Sequence, residues 1–382
     1  MTGAPKSATK SAATGDLLSG LWTLTEPPRL TPRQWELLLS QARRCRLDAR
    51  LARHFKDKGW LDGVPSQPRL HLQSATLAAE RQRQQVRWET DRLRAALRDL
   101  PSPVVLLKGA AYVALDLPPA RGRLFTDVDI LVDKAGIGAA ELLLMAAGWV
   151  HEALDPYDER YYRQWMHELP PLKHVWRHTW LDVHHTITPP TSRFAVDGSL
   201  LLQAARPLPG SQPGAQLATL APVDMVLHSA VHLMQEGDFS AGLRDLLDLN
   251  DLLQHFGVQP GFWPQLFDRA QELHIGTALF HVLVQVRRLF GTAPPAELAP
   301  RVDELARGWP STVLMPALLA IALRPPHPSC NSAASGLARW LLYVRSHGLR
   351  MPWYQIVPHL LRKAWTRTRT RLQAPAAGAA KL

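Results

Sequence analysis

The chain has 382 residues, 46% hydrophobic and 20% charged, and a formal net charge of +11. This is the composition of a globular protein long enough for two domains, or for one domain with a large extension. Cys45 and Cys330 stand far apart and outside any CxxC motif, which argues against a disulfide framework or cysteine zinc site and for a reducing, cytoplasmic compartment. The longest apolar run, 313–323, is broken by Pro316 and too short to span a bilayer. The positive charge suits an anionic partner, although a GC-rich coding bias produces the same excess.

Residues 1–19 are rich in Ala, Ser, Thr, Gly and Lys and read as a disordered leader. Thr31-Pro32 starts a helix, with a hydroxyl N-cap and proline at the first helical position. Its apolar stripe runs on to about Phe55 and stops at Gly59. A second long helix is predicted from about Arg69 to Leu100, its arginine-rich face in water. Residues 20–100 are therefore a helical N-terminal segment.

Between 101 and 190 the pattern changes. Strands are predicted at 104–108, 127–132, 149–154 and 181–187, with helices at 109–116, 135–147 and 157–168. This is a small domain with a sheet of four or five strands. Residues 191–221 read as a connection that contains a helix-like stretch at 198–206. From 222 to 368 helices follow one another (224–235, 241–256, 263–273, 277–290, 311–323, 333–347, 353–368), and 369–382 tapers into a disordered tail. The fold class is α+β: a small mixed sheet with flanking helices, then a mainly α-helical C-terminal region.

The chemistry concentrates in Val104–Val132. In Thr126-Asp127-Val128-Asp129-Ile130-Leu131-Val132 the strand period puts Asp127 and Asp129 on one face, about 7 Å apart, where they repel unless a cation lies between them. Asp182, inside the apolar run Trp180-Leu181-Asp182-Val183-His184, offers a third carboxylate. Asp127, Asp129 and Asp182 on neighbouring strands make an oxygen cage suited to magnesium. At the Lys108-Gly109 turn, Gly109 lets backbone N–H groups approach a phosphate, and Arg123 brings a fork-shaped cation. Together these describe metal-assisted nucleotidyl or phosphoryl transfer.

The string LLKG-A, a loop with Arg123, DVDILV and then LDVHH resembles the DNA polymerase β-type nucleotidyltransferase superfamily, closest to an uncharacterised bacterial branch reading LKG…R…DhDhLV…DhH, where h is apolar. The resemblance covers about residues 100–190. It implies that Asp127 and Asp129 bind two Mg2+ ions (Mn2+ as the alternative). Asp182 would bind the catalytic ion and help activate an acceptor hydroxyl. Lys108, Gly109, Ala110 and Arg123 would hold an NTP, ATP foremost. A nucleoside monophosphate would pass to the acceptor and pyrophosphate would leave. Ala110 stands where the superfamily usually carries Ser or Gly.

Other residues admit two readings. His184 lines the site or satisfies the core. Asp224, His228 and His232 share one helix face, for packing or for nucleotide contact. Arg244 pairs with neighbouring acids or faces the triphosphate. The basic stretch 362–371 is a solvated helix end or a nucleic-acid arm. The expected function is nucleotidyl transfer to a protein or small-molecule hydroxyl, with nucleic acid less favoured as acceptor. The alternatives are a non-catalytic NTP–Mg sensor, motivated by Ala110, and a basic nucleic-acid binder.

Overall fold

The computed structural model describes residues 15–152, 156–209, 216–306 and 314–350; the tail 369–382, the helix at 353–368 and most of the leader lie outside them. The last residues of the expected leader are packed rather than loose. Leu18 is fully buried, and the Leu17 and Leu18 amides donate to the Gln41 side chain at 3.0 and 3.2 Å.

Helix α1 (Pro32–Arg44) begins as its sequence dictates. Thr31 and Gln34 form a reciprocal capping box, and Pro32 takes the first turn, where a missing N–H costs nothing. Helix α2 (Asp48–Asp57) follows, then α3 (Ser66–Ala96), which buries Leu72, Ala75, Ala79, Val86 and Leu93 at helical spacing and leaves Arg81 and Arg87 in solvent. Buried Glu89 on α3 would be expensive alone. It accepts from Arg177 Nε at 2.8 Å and Thr179 Oγ1 at 2.7 Å, which ties α3 to the edge of the sheet.

The sheet has seven strands: β1 (Val104–Leu106), β2 (Asp127–Leu131), β3 (Trp149–His151), β4 (Leu172–His174), β5 (Trp180–His184), β6 (Arg206–Pro207) and β7 (Leu217–Thr219). Their order is β3-β4-β5-β2-β1-β7-β6, with β2–β5 and β1–β7 parallel and the remaining pairs antiparallel. The expected four or five strands were too few. Strands β4, β6 and β7, of two or three residues each, were not among those expected. The stretch 191–221 is thus more than a connection, because β7 lies beside β1 inside the sheet. Three fully buried residues there, Val104, Val105 and Leu106, make β1 a central strand covered on both faces.

Helices α4 (Lys108–Ala114), α5 (Ile137–Ala146), α6 (Pro156–Trp165) and α7 (Gly198–Gln203) connect or flank the strands. A helical layer of α8 (Pro222–Gln235), α9 (Gly242–Gly257), α10 (Phe262–Glu272), α11 (Gly276–Phe290), α12 (Ala299–Glu304), α13 (Leu314–Ala322) and α14 (Ala333–Arg350) completes the fold. One continuous apolar core runs from Val86 through the sheet and α8–α11 to Leu342, so sheet and helical layer share it. A second cluster joins α1 and α2 to Leu243 and Leu247 of α9. Among the described residues no helix is long and apolar enough to cross a membrane.

Candidate active site

Strand register decides where the acids go. In the parallel pair β2–β5, Asp127 stands opposite Trp180, Asp129 opposite Asp182 and Leu131 opposite His184. Partners in register project to the same face about 4.8 Å apart, so Asp129 and Asp182 are side by side, with Asp127 two residues upstream at the exposed start of β2.

Lys108, at the first turn of α4, reaches back over this face, and its Nζ lies 3.0 Å from Asp129 Oδ1. Its backbone takes φ = 39°, the left-handed region that a side chain occupies only when its surroundings impose it. His184 Nε2 lies 3.3 Å from the same Asp129 oxygen. Burial alone would raise the Asp129 pKa, but Lys108 and His184 hold it well below the usual carboxylate range. The Lys108 ammonium is correspondingly stabilised: Asp129 outweighs the burial that would lower it. Asp182 goes the other way. Burial, then the negative charges of Asp129 and Glu168, push it up to about 7. The cluster therefore holds more negative charge than Lys108 and His184 offset.

A Cβ on Gly109 would come within 2.8 Å of Phe125 Cδ1 and 3.0 Å of Cε1, so the space above Gly109 admits a phenyl ring. Ala110 is 2% exposed with its methyl in the core, so any contact it makes with a ligand runs through its backbone. Gly109→Ala is accordingly expected to lower stability by about 1–3 kcal/mol, the usual cost of overpacking. Thermal melting checks it, and a wild-type midpoint would refute the close approach.

Arg123 lines the same cleft, but helix α9 holds it. Its guanidinium pairs with Asp248, lies 3.9 Å from Asp245 and sits 5.8 Å from the Tyr112 ring centre. The buried Nε has no hydrogen-bond partner among the described residues. Arg244 donates to Asp245 at 2.7 and 2.9 Å, so it forms the ion pair of the first reading while also lining the cleft. The Tyr112 and Ser229 hydroxyls, 2.7 Å apart, join α4 to α8.

The face shared by Asp224, His228 and His232 divides. Asp224 is fully buried and bound by Arg269 at 2.8 and 3.1 Å. Burial, then the Lys108 charge, holds the His228 imidazole well below the ordinary histidine pKa; for half-buried His232, 3.8 Å from Glu236, the Lys108 charge comes first in the same direction. His232 borders the cleft with Ser229. The enclosed part measures about 90 Å³, small beside the ~300–1,000 Å³ of pockets that bury a whole cofactor.

Glu168 and His167 were not anticipated. Backbone pairing carries them to β5, where Glu168 bridges to His184 and the His185 amide donates to the His167 carbonyl at 2.9 Å. A stretch reading Met-His-Glu-Leu-Pro has no signal for that pairing, because it continues an antiparallel run only once β4 has formed.

No curated protein and no solved structure matches the chain. One family model does, and it spans residues 31–291, from the first turn of α1 to the end of α11, well over half of the chain and every strand of the sheet. The chain belongs to the family described as uncharacterised nucleotidyltransferase.

Proposed function

We propose that the protein moves a nucleoside monophosphate from an NTP, ATP foremost, to a hydroxyl of a protein or small-molecule acceptor, with release of pyrophosphate. The observation that carries this reading is the register of Asp129 against Asp182, with the Lys108 ammonium on the shared oxygen cluster. Lys108 and Arg123 are the cations at the cleft that a triphosphate would meet. Asp182, poised near neutrality, is matched to accepting the acceptor's proton.

Magnesium fits the residues present. Asp127, Asp129 and Asp182 are hard oxygen donors with an excess of negative charge. When bound, the ion would neutralise charge on the phosphates and lower the pKa of a bound hydroxyl.

The test is incubation with α-labelled NTPs and magnesium. Label on an acceptor together with pyrophosphate supports transfer. Nucleotide binding with neither product, unchanged in Asp127→Ala, would replace it with the sensor reading that Ala110 motivates. Ligand carboxylates must be deprotonated, so metal affinity should rise with pH. With Asp182 at about 7, the ligating fraction changes about tenfold between pH 8 and pH 6. Mg2+ affinity measured by calorimetry should fall by about that factor over this interval, and a flat profile would remove Asp182 from the ligand set.

A further inference from the structure

We infer that His167, Glu168 and His184 form a site for a borderline divalent cation of the zinc class, beside the aspartate cluster and distinct from it. Each of the three offers one ligand atom, and these atoms all lie within 4.8 Å of one another. His184 Nδ1 is 3.4 Å from Glu168 Oε2, and His167 Nε2 is 4.0 Å from the same oxygen. Tetrahedral zinc with bonds of about 2.0–2.1 Å needs its ligand atoms about 3.4 Å apart. One separation already meets that figure, and small rotations would close the others.

Three further observations point to a ligand. His184 is 3% exposed, yet its Nδ1 makes no hydrogen bond among the described residues and has only the Glu168 carboxylate near it, at 3.4 Å. Buried polar atoms are rarely left so unless something absent satisfies them. The other His184 nitrogen, Nε2, is within hydrogen-bond reach of Asp129 Oδ1 at 3.3 Å. A carboxylate behind an imidazole keeps the proton on the nitrogen facing it, so a metal that displaces the Nδ1 proton finds the opposite lone pair aimed at it, the usual outer-shell pattern of histidine–metal sites. Finally, backbone pairing sets the group rather than loop chance: Leu169 N donates to Val183 O, and His185 N to His167 O, both at 2.9 Å.

Two imidazoles and one carboxylate favour zinc, cobalt or similar ions over magnesium, which prefers oxygen alone. Three protein ligands leave a fourth position open. The His167 and Glu168 side chains are each 18% exposed, so that position is reachable by water or by a substrate oxygen. Asp129 thus belongs to both clusters, as a candidate magnesium ligand on one side and the hydrogen-bond partner of His184 on the other.

The experiment titrates tag-free, chelator-treated full-length protein with Co2+, read by visible d–d absorption, and with Zn2+, read by calorimetry. One equivalent should bind. His167→Ala and Glu168→Gln should each weaken it at least tenfold, while Asp127→Asn binds as wild type. Zinc should also raise the melting temperature of wild type and leave that of His167→Ala unchanged, provided circular dichroism shows that variant folded. Glu168→Gln, nearly isosteric, supplies the answer if it is not. No one-equivalent binding would overturn the inference, as would binding that survives both substitutions or is lost in Asp127→Asn. The inference does not rest on nucleotidyl transfer, because pyrophosphate release with magnesium in zinc-free protein tests that reading separately.

Discussion

Asp182→Asn is expected to cut nucleotidyl transfer by about a thousandfold, within the ~10²–10⁴ attributed to a positioned acid–base group, while nucleotide binding stays within a few-fold of wild type. Asparagine keeps the size of the side chain and loses its charge, so it can neither accept a proton nor ligate a cation strongly. Lys108 and Arg123, the cations proposed to meet the triphosphate, are untouched. Pyrophosphate release and equilibrium nucleotide binding measure the two halves, and wild-type turnover would end the three-carboxylate assignment. The same substitution should not weaken the fold. Asp182 has a folded-state pKa of about 7, above the ordinary carboxylate value, so folding raises its proton affinity. The destabilisation from its charge is therefore complete above pH 7 and fades as pH falls through 7 towards 4. In metal-free buffer at pH 8 Asp182→Asn should melt at or above the wild-type temperature, and below pH 4 the difference should vanish. A variant that is inactive yet no less stable separates lost chemistry from lost structure.

Arg269→Ala is expected to destabilise the protein by about 3–5 kcal/mol, the cost of leaving one partner of a buried ion pair uncompensated. Asp224 is fully buried, and Arg269 supplies both of its contacts while also donating to the Leu200 carbonyl at 2.8 Å. Its removal strands a carboxylate inside α8 and frees α7 from α10. Because α8 also carries Ser229 and His232 to the cleft, transfer should fail at lower temperature than in wild type. Replacing both partners with leucine should cost less than the single change, since no buried charge is orphaned. Calorimetric unfolding decides it, and an Arg269→Ala midpoint equal to that of wild type would show the pair to be dispensable.

These predictions draw unequally on what the chain reveals before it folds. The alternation around Asp127 and Asp129, the apolar strand carrying Asp182 and the capped start of α1 are local patterns, and local patterns survive in one dimension. The helices of residues 222–290 were legible for the same reason, their spacing being long and regular. The strands β4, β6 and β7 were not, because what makes each a strand is pairing with a neighbour rather than a pattern of its own.

Long-range packing sets the surroundings of three residues. The Phe125 ring fills the space that a side chain on Gly109 would need. Arg123 is held at the cleft by Asp248, more than a hundred residues away. Asp224 shares a helix face with His228 and His232, and its packing role is filled by Arg269 of another helix. Ion pairs between distant segments leave no trace in local spacing, since their partners are chosen by which helices share a core.

By itself, then, the sequence determined the chemical inventory: three strand-borne carboxylates, a lysine at a glycine turn and a helical remainder, all set by periodicity and residue type. Only the tertiary structure decided that Asp129 faces Asp182, that Lys108 reaches their shared face, and that His167 and Glu168 stand beside His184. Register between strands and packing between layers join residues that the chain keeps apart, and burial then sets the charge each can carry.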